Sequence, residues 1–157
     1  MKVGIGQDSH RFEGEKSHKL CILGGVIFPE VPGLAANSDG DVVLHAITNA
    51  VSGITCHNIL GAPADGLCRE GVTDSSAYLA LAMEDLENMS LRISHISVSI
   101  EAARPHLSES IPQMRQSIAD MLGLEAMQIG ITATSGEGLT AFGRGEGIAV
   151  TAIVTAE

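Results

Sequence analysis

Residues Arg92 to Glu101 alternate without a break: Ile96, Val98 and Ile100 fall on one face, and His95, Ser97 and Ser99 on the other. Side chains of a strand point to opposite faces in turn, so this pattern predicts a half-buried strand with one core face and one polar face. Such a strand needs a sheet, and the sheet needs apolar cover on one side only. The rest of the chain supplies both. Lys2 to Gln7, Gln128 to Thr134 and Gly147 to Thr155 read as further strands. Leu20 to Leu23 and Val26 to Phe28 flank Gly24-Gly25 as a hairpin. The helical spacing of Val42, Val43, Ala46, Ile47, Ala50, Val51 and Ile54 predicts a helix from Asp41 to about Ile54, opened by the capping chemistry of Ser38-Asp39-Gly40. Asp74-Ser75 caps a second helix running to about Met89; Ser110-Ile111-Pro112 starts a third, which Gly123 ends. The stretch His57 to Thr73, with Gly61, Pro63, Gly66 and Gly71, reads as a loop. The expected fold class is therefore α/β, more narrowly α+β: a mixed, mostly antiparallel sheet covered on one face by helices. No repeat, linker or low-complexity run divides the chain, so residues 1–157 are expected to form a single domain. The outer face of the sheet is then either wet or covered by another subunit.

Charge narrows the function classes. The formal net charge is −10 with only 9 Lys+Arg, which argues against nucleic-acid or anionic-membrane partners. An anionic small molecule stays open, because metals and backbone N–H groups neutralise phosphate locally. With 3 Phe, 1 Tyr and no Trp, the core is expected to be aliphatic. Cys21, Cys56 and Cys68 form no C-x-x-C and no even set, so a reducing, cytoplasmic setting is expected. No apolar run approaches a membrane span and nothing marks a targeting peptide.

The chemistry concentrates in three residues. Asp8 and His10 stand two apart, just after the apolar run Val3 to Ile5. If the chain is still extended there, both side chains point to one face. His45 falls on the polar stripe of the first helix, with Asp41, Thr48, Asn49 and Ser52, facing away from the helix's own packing positions. Two His and one carboxylate make a three-ligand metal set whose fourth position is free for water or a substrate oxygen. A turn Asp beside exposed His residues would give the same letters.

Four segments together carry a resemblance. Gly6-Gln7-Asp8-Ser9-His10, Ser38-Asp39-Gly40-Asp41-Val42-Val43-Leu44-His45-Ala46, Ile111-Pro112-Gln113-Met114-Arg115 and Gly143-Arg144-Gly145-Glu146-Gly147 follow one another at nearly the spacing of a known family. The chain resembles the 2-C-methyl-D-erythritol 2,4-cyclodiphosphate synthases over essentially its whole length. The resemblance implies a reaction: the 2-phosphate of 4-diphosphocytidyl-2-C-methyl-D-erythritol 2-phosphate attacks the β-phosphorus, CMP leaves and a cyclic diphosphate closes. It implies zinc (Zn2+) on Asp8, His10 and His45, and a second divalent cation (Mg2+ or Mn2+) on Glu137. It implies substrate contacts from Asp8, His10, Ser38, Gly61, Thr134, Ser135 and Arg144, and a cytosine loop containing Ala102, Pro105, His106 and Ser108. It also implies a homotrimer with active sites between subunits.

Several positions depart from the family pattern. Asn37 stands where a His stabilises the reacting diphosphate, and is assigned a catalytic role with Ser135, which replaces a threonine. Ile59 stands where an Asp binds erythritol hydroxyls, with Asn58 beside it. His106 replaces a lysine, and Ala141 an aromatic, with Phe142 next to it. The implied metal ligands are intact and several substrate-shaping groups are changed. Two other functions stay open on the residues alone: a zinc-dependent nucleotide-diphosphate hydrolase with water as nucleophile, and a zinc-binding relative without catalysis.

Overall fold

In the computed structural model, which describes residues 1–157, ten strand and helix segments follow one another. They are β1 (Lys2–Arg11), β2 (Leu20–Leu23), β3 (Val26–Pro32), α1 (Val42–Thr55), α2 (Ala62–Arg69), α3 (Ser75–Asn88), β4 (Ile93–Glu101), α4 (Ile111–Leu122), β5 (Ile129–Thr134) and β6 (Gly147–Ala156). The main sheet has the order β1-β6-β4-β5. Its β1/β6 and β4/β6 pairs are antiparallel and its β4/β5 pair is parallel. The sheet is thus mixed and mostly antiparallel, as the sequence predicts. The β2–β3 hairpin forms a separate two-stranded sheet. Gly24 and Gly25 make its turn with φ of 57° and 78°, the left-handed pair that matches strand twist.

Strand β1 runs past the expected end at Gln7. Its ladder with β6 continues from Lys2↔Ala156 to Arg11↔Gly147, so backbone pairing carries the strand through Asp8-Ser9-His10, where the apolar signal has stopped. Asp8 and His10 therefore lie inside a strand, on one face with Gly4 and Gly6. Those glycines decide how closely α1 approaches. A Cβ at Gly4 would stand 2.0 Å from the Ala50 carbonyl oxygen, and one at Gly6 2.1 Å from that of Ala46. Only bare backbone fits. Two strand residues rise about 6.6 Å and four helix residues about 6 Å, so strand and helix stay nearly in step in opposite directions. Gly4 meets Ala50 and Gly6 meets Ala46, and His45, the residue before Ala46, reaches Asp8 with its side chain.

One sequence expectation needs correction here. The His57–Thr73 stretch is not all loop: it contains α2, with Pro63 in its first turn and Gly61 at its N-cap. Only Ala64 of that helix is fully buried, so no apolar periodicity announces it. The polar stripe of α1, which faces away from the helix's own apolar positions, is covered by other segments. Asp41, His45, Thr48 and Ser52 are all buried. Thr48 donates back to the Leu44 carbonyl, and the Ser52 hydroxyl accepts from the Ile59 amide. The helix is covered over most of its surface, by the sheet on one side and by α3 and the residue-59 segment on the other, with Asn49 half-buried and Gly53 exposed. Its N-cap is Asp41 itself, whose carboxylate accepts from the amide of Leu44.

The core is one cluster of 36 buried residues, almost wholly aliphatic, between the sheet and its helices. The opposite sheet face is bare, and Val3, Ile5 and Ile153 lie on it 60%, 68% and 43% exposed. No helix is long and apolar enough to cross a membrane.

Candidate metal centre

Two elements, β1 and α1, bring three side chains to one point. Asp8 Oδ2 lies 3.0 Å from His10 Nε2 and 3.0 Å from His45 Nδ1, and the two ring nitrogens are 3.1 Å apart. Four ligands about 2.0–2.1 Å from a zinc ion stand roughly 3.3 Å from one another in a tetrahedron, so the triangle is close to ready for one. These are the chain's one cluster of three or more His, Cys, Asp or Glu side chains with metal-ligand spacing. Burial pushes the Asp8 carboxyl up, but hydrogen bonds from His10 and His45, and their charge, outweigh it and hold the group well below the usual carboxylate range.

The loop before α1 fixes His45. Its Nε2 lies 2.8 Å from Ser75 Oγ and 3.3 Å from Ser38 Oγ. Ser75 in turn donates its hydroxyl to one oxygen of the Asp39 carboxylate, and its amide donates to the other. Asp41 reaches the opposite way, accepting from the amides of Gly24, Gly25 and Leu44 at 2.8, 2.7 and 3.1 Å. Burial pushes the Asp41 carboxyl up to about 6, against the downward pull of those three N–H groups. Lys19 donates to the carbonyls of Ala36 and Ser38 at 3.0 and 2.8 Å, tying down the Asn37 loop. Each polar residue of Ser38-Asp39-Gly40-Asp41 thus has its own task, and Gly40 (φ 78°) allows the turn between them.

The triad opens into a cleft of ≈ 540 Å³ that Asn37, Ser38, Leu60, Gly61, Asp65, Cys68 and Tyr78 also line. The YgbB family profile matches residues 1–157. The chain belongs to the YgbB family. It is 52% identical over 155 residues to the 2-C-methyl-D-erythritol 2,4-cyclodiphosphate synthase of Chlamydia caviae, covering 98% of this chain and 88% of that one. The enzyme of the same name from Chlamydia trachomatis serovar L2 is 51% identical, with 98% and 86% covered. A solved 2C-methyl-D-erythritol-2,4-cyclodiphosphate synthase superposes with a TM-score of 0.88 at 26% identity, over 99% of this chain and 100% of that one. A CDP-bound form of such a synthase gives 0.82 at 25% identity, again over 99% and 100%.

The family-implied residues fall into two groups. Asp8, His10, His45, Asn37, Ser38 and Gly61 share the cleft. Ile59 does not: its side chain is 2% exposed and belongs to the core, while Leu60 and Gly61 face the opening. Asn58 is exposed and does not line the cleft either. The second group is elsewhere. Ala102, Pro105, His106 and Ser108 follow β4, Thr134, Ser135 and Glu137 end or follow β5, and Arg144 precedes β6. His106, Ser108, Ser135, Glu137 and Arg144 are exposed, whereas Ala102 and Pro105 are buried. Because β1, β4 and β5 run the same way, both groups sit at one end of the sheet. Thr134, at the end of β5, nevertheless lies at the opposite sheet edge from the triad's strand, with β6 and β4 between, about 14 Å across, while the segment after β4 and Arg144 before β6 lie between those edges. None of the second group lines the triad's cleft within one chain.

Sequence reasoning missed three cleft-side residues. Asp65, on the first turn of α2, faces the same opening as the triad. Asp39 and Ser75 were both read as caps, yet they hold His45. A signal was present: one N-cap needs one acceptor, and Ser38-Asp39-Gly40-Asp41 offers three. Arg115, in a family-like segment, is a packing residue. Its Nε donates to the Ile129 carbonyl at 2.7 Å and its Nη2 to that of Ala126 at 3.0 Å, joining α4 to the entrance of β5.

Proposed function

We propose that this chain converts 4-diphosphocytidyl-2-C-methyl-D-erythritol 2-phosphate to 2-C-methyl-D-erythritol 2,4-cyclodiphosphate and CMP, a step in isoprenoid precursor synthesis. The observation that carries this reading is the Asp8–His10–His45 triangle inside a family match that spans residues 1–157. The donor set of two imidazoles and one carboxylate suits zinc, with one position open to a phosphate oxygen. Bound there, zinc supplies Lewis-acid polarisation of the β-phosphate. The residues themselves do the positioning that an intramolecular phosphoryl transfer mostly requires. In this reading the Asn37 amide, which lines the cleft, donates to the diphosphate without the positive charge of a histidine. Ser38, at the mouth of the cleft, offers a hydroxyl beside His45.

Glu137 is the candidate for the second cation, Mg2+ or Mn2+. Its carboxylate makes no ion pair or hydrogen bond, and a hard ion accepts one carboxylate plus phosphate and water oxygens. Thr134 and Ser135 supply hydroxyls next to it, and Ala102, Pro105, His106 and Ser108 form the cytosine loop. A CDP-bound relative of the same fold supports a cytidine nucleotide as ligand. The separation of Glu137 from the triad supports a site completed by a second copy, and the bare sheet face with Val3, Ile5 and Ile153 supports burial there in a homotrimer. Residues 1–157 are read as one domain because one core cluster unites them. The free cysteines fit a cytoplasmic setting.

Phosphorus NMR of the protein incubated with the cytidyl substrate and magnesium tests the reaction. Equal amounts of CMP and a cyclic diphosphate are expected. CMP with only linear phosphates would give the chemistry to a hydrolase, and no CMP at all to a non-catalytic relative.

A further inference from the structure

The geometry points to Asp39 and Ser75 as positioning residues that lock the tautomer of His45 for metal binding, through a one-way hydrogen-bond relay from imidazole to hydroxyl to carboxylate. This rests on the metal reading above. The direction follows from the last member. A carboxylate oxygen accepts, so the Ser75 hydroxyl donates to Asp39 and keeps its lone pairs for His45. His45 Nε2, 2.8 Å from Ser75 Oγ, must then carry the ring proton. Its Nδ1, the atom aimed at Asp8, is left with the lone pair a metal needs.

The surroundings admit no easy substitute. Ser75 is completely buried and His45 6% exposed, so water cannot readily replace the hydroxyl. Ser38 Oγ is farther, at 3.3 Å, and already accepts from the Gly40 amide at 3.2 Å. Asp39 is held by three donors, namely the hydroxyl and amide of Ser75 and the amide of Asp41. It also ties the two helix starts together, since its own amide donates to the Thr73 carbonyl at 2.8 Å. The relay therefore joins the α1 entry loop to the first residue of α3 directly, and ties His45 to both through Ser75. Outer partners of this kind typically change metal affinity by about 10–100-fold.

The test is zinc affinity, measured by competition with a chromophoric chelator on the intact protein. Ser75→Ala is expected to weaken zinc binding about 10–100-fold, and the isosteric Asp39→Asn to weaken it by a similar or smaller factor. Because Asp39 acts through Ser75, the double variant is expected to bind zinc no more weakly than Ser75→Ala alone. Nitrogen-15 NMR of labelled histidine in the zinc-loaded wild type is expected to place the His45 proton on Nε2, a readout independent of folding stability. Zinc affinities equal to wild type in both single variants, losses that multiply in the double variant, or a proton on Nδ1 would each overturn the relay. Failure of the wild type to bind zinc at all would instead overturn the metal reading. If Ser75→Ala does not fold, the Asp39→Asn affinity and the wild-type NMR still decide the matter.

Discussion

The two edges of the main sheet are built differently. At the β1 edge, two glycines let α1 lie against the strand, and the His45 side chain is buried within a closed set of partners that reaches Asp8, Ser38, Ser75 and Asp39. At the β5 edge, Thr134, Ser135 and Glu137 are exposed, and Glu137 sits at φ 53° with its carboxylate free. The first edge is a finished half-site. The second is a set of donors and acceptors waiting for something to face. The lesson is that one chain can preorganise one cluster of polar side chains completely through its own packing and leave another set exposed and unpaired.

The largest expected effect breaks the finished edge chemically. His45→Ala should abolish zinc binding and reduce CMP release about a thousandfold or more, the scale of several kcal/mol of lost charge stabilisation. Metal content and turnover measured on the same sample check this, and near-normal activity in metal-free buffer would break the comparison.

Next comes a purely mechanical change. A Cβ at Gly6 would stand 2.1 Å from Ala46 O and 2.3 Å from Ala50 N, all backbone that cannot rotate aside. Gly6→Ala should cost about 3 kcal/mol of stability by prising α1 from β1, and should weaken zinc binding with it. Gly14→Ala, where nothing lies within 4 Å, should stay within about 0.5 kcal/mol. Urea unfolding of the two variants side by side makes the measurement.

Asp41 gives the finished edge a pH signature. Its folded pKa of about 6 lies above the ordinary 3.8. Between those values the folded protein holds a proton that the unfolded chain has released, so this residue's contribution to stability falls as pH rises through the window and is level above it. The change amounts to about 3 kcal/mol. Asp8 works in the other sense: its lowered pKa adds stability above 3.8 that is lost only as the pH drops below that value, outside the same window. The stability difference between wild type and Asp41→Asn should therefore shrink by about 3 kcal/mol from about pH 4 to about pH 7. A constant difference would show that Asp41 does not titrate there.

The smallest effect on the fold belongs to the open edge. Glu137→Gln should lower turnover about 10–100-fold, raise the magnesium needed, and leave unfolding free energy within about 0.5 kcal/mol. A large loss of stability would mean that this edge is as built-in as the other.

How much of this the sequence could tell depended on the range of the interaction. Alternation exposed β4, and single caps such as Asp74 and Gly123 fixed helix ends, because those signals are local. The Asp8-x-His10 spacing was legible for the same reason. Helix α2 was not, since Ala64 alone is deeply buried and Pro63 and Gly66 read as loop residues. The buried polar stripe of α1 was half-legible: its direction came from periodicity, but its cover comes from outside the helix, from Ile59 just past its end and from Ser75, 30 residues from His45. The Asp39–Ser75 contact spans 36 residues and each partner has a local excuse as a cap, so nothing short-range distinguishes it.

The most direct test of the two-edge account is complementation. His45→Ala and Glu137→Ala, each inactive alone, are co-expressed in equal amounts and assayed for CMP release. If each site draws its triad from one copy and Glu137 from the next, random mixing restores about a quarter of wild-type activity, the chance that an intact edge meets an intact edge. Activity no higher than that of the two variants assayed separately would contradict a site shared between copies.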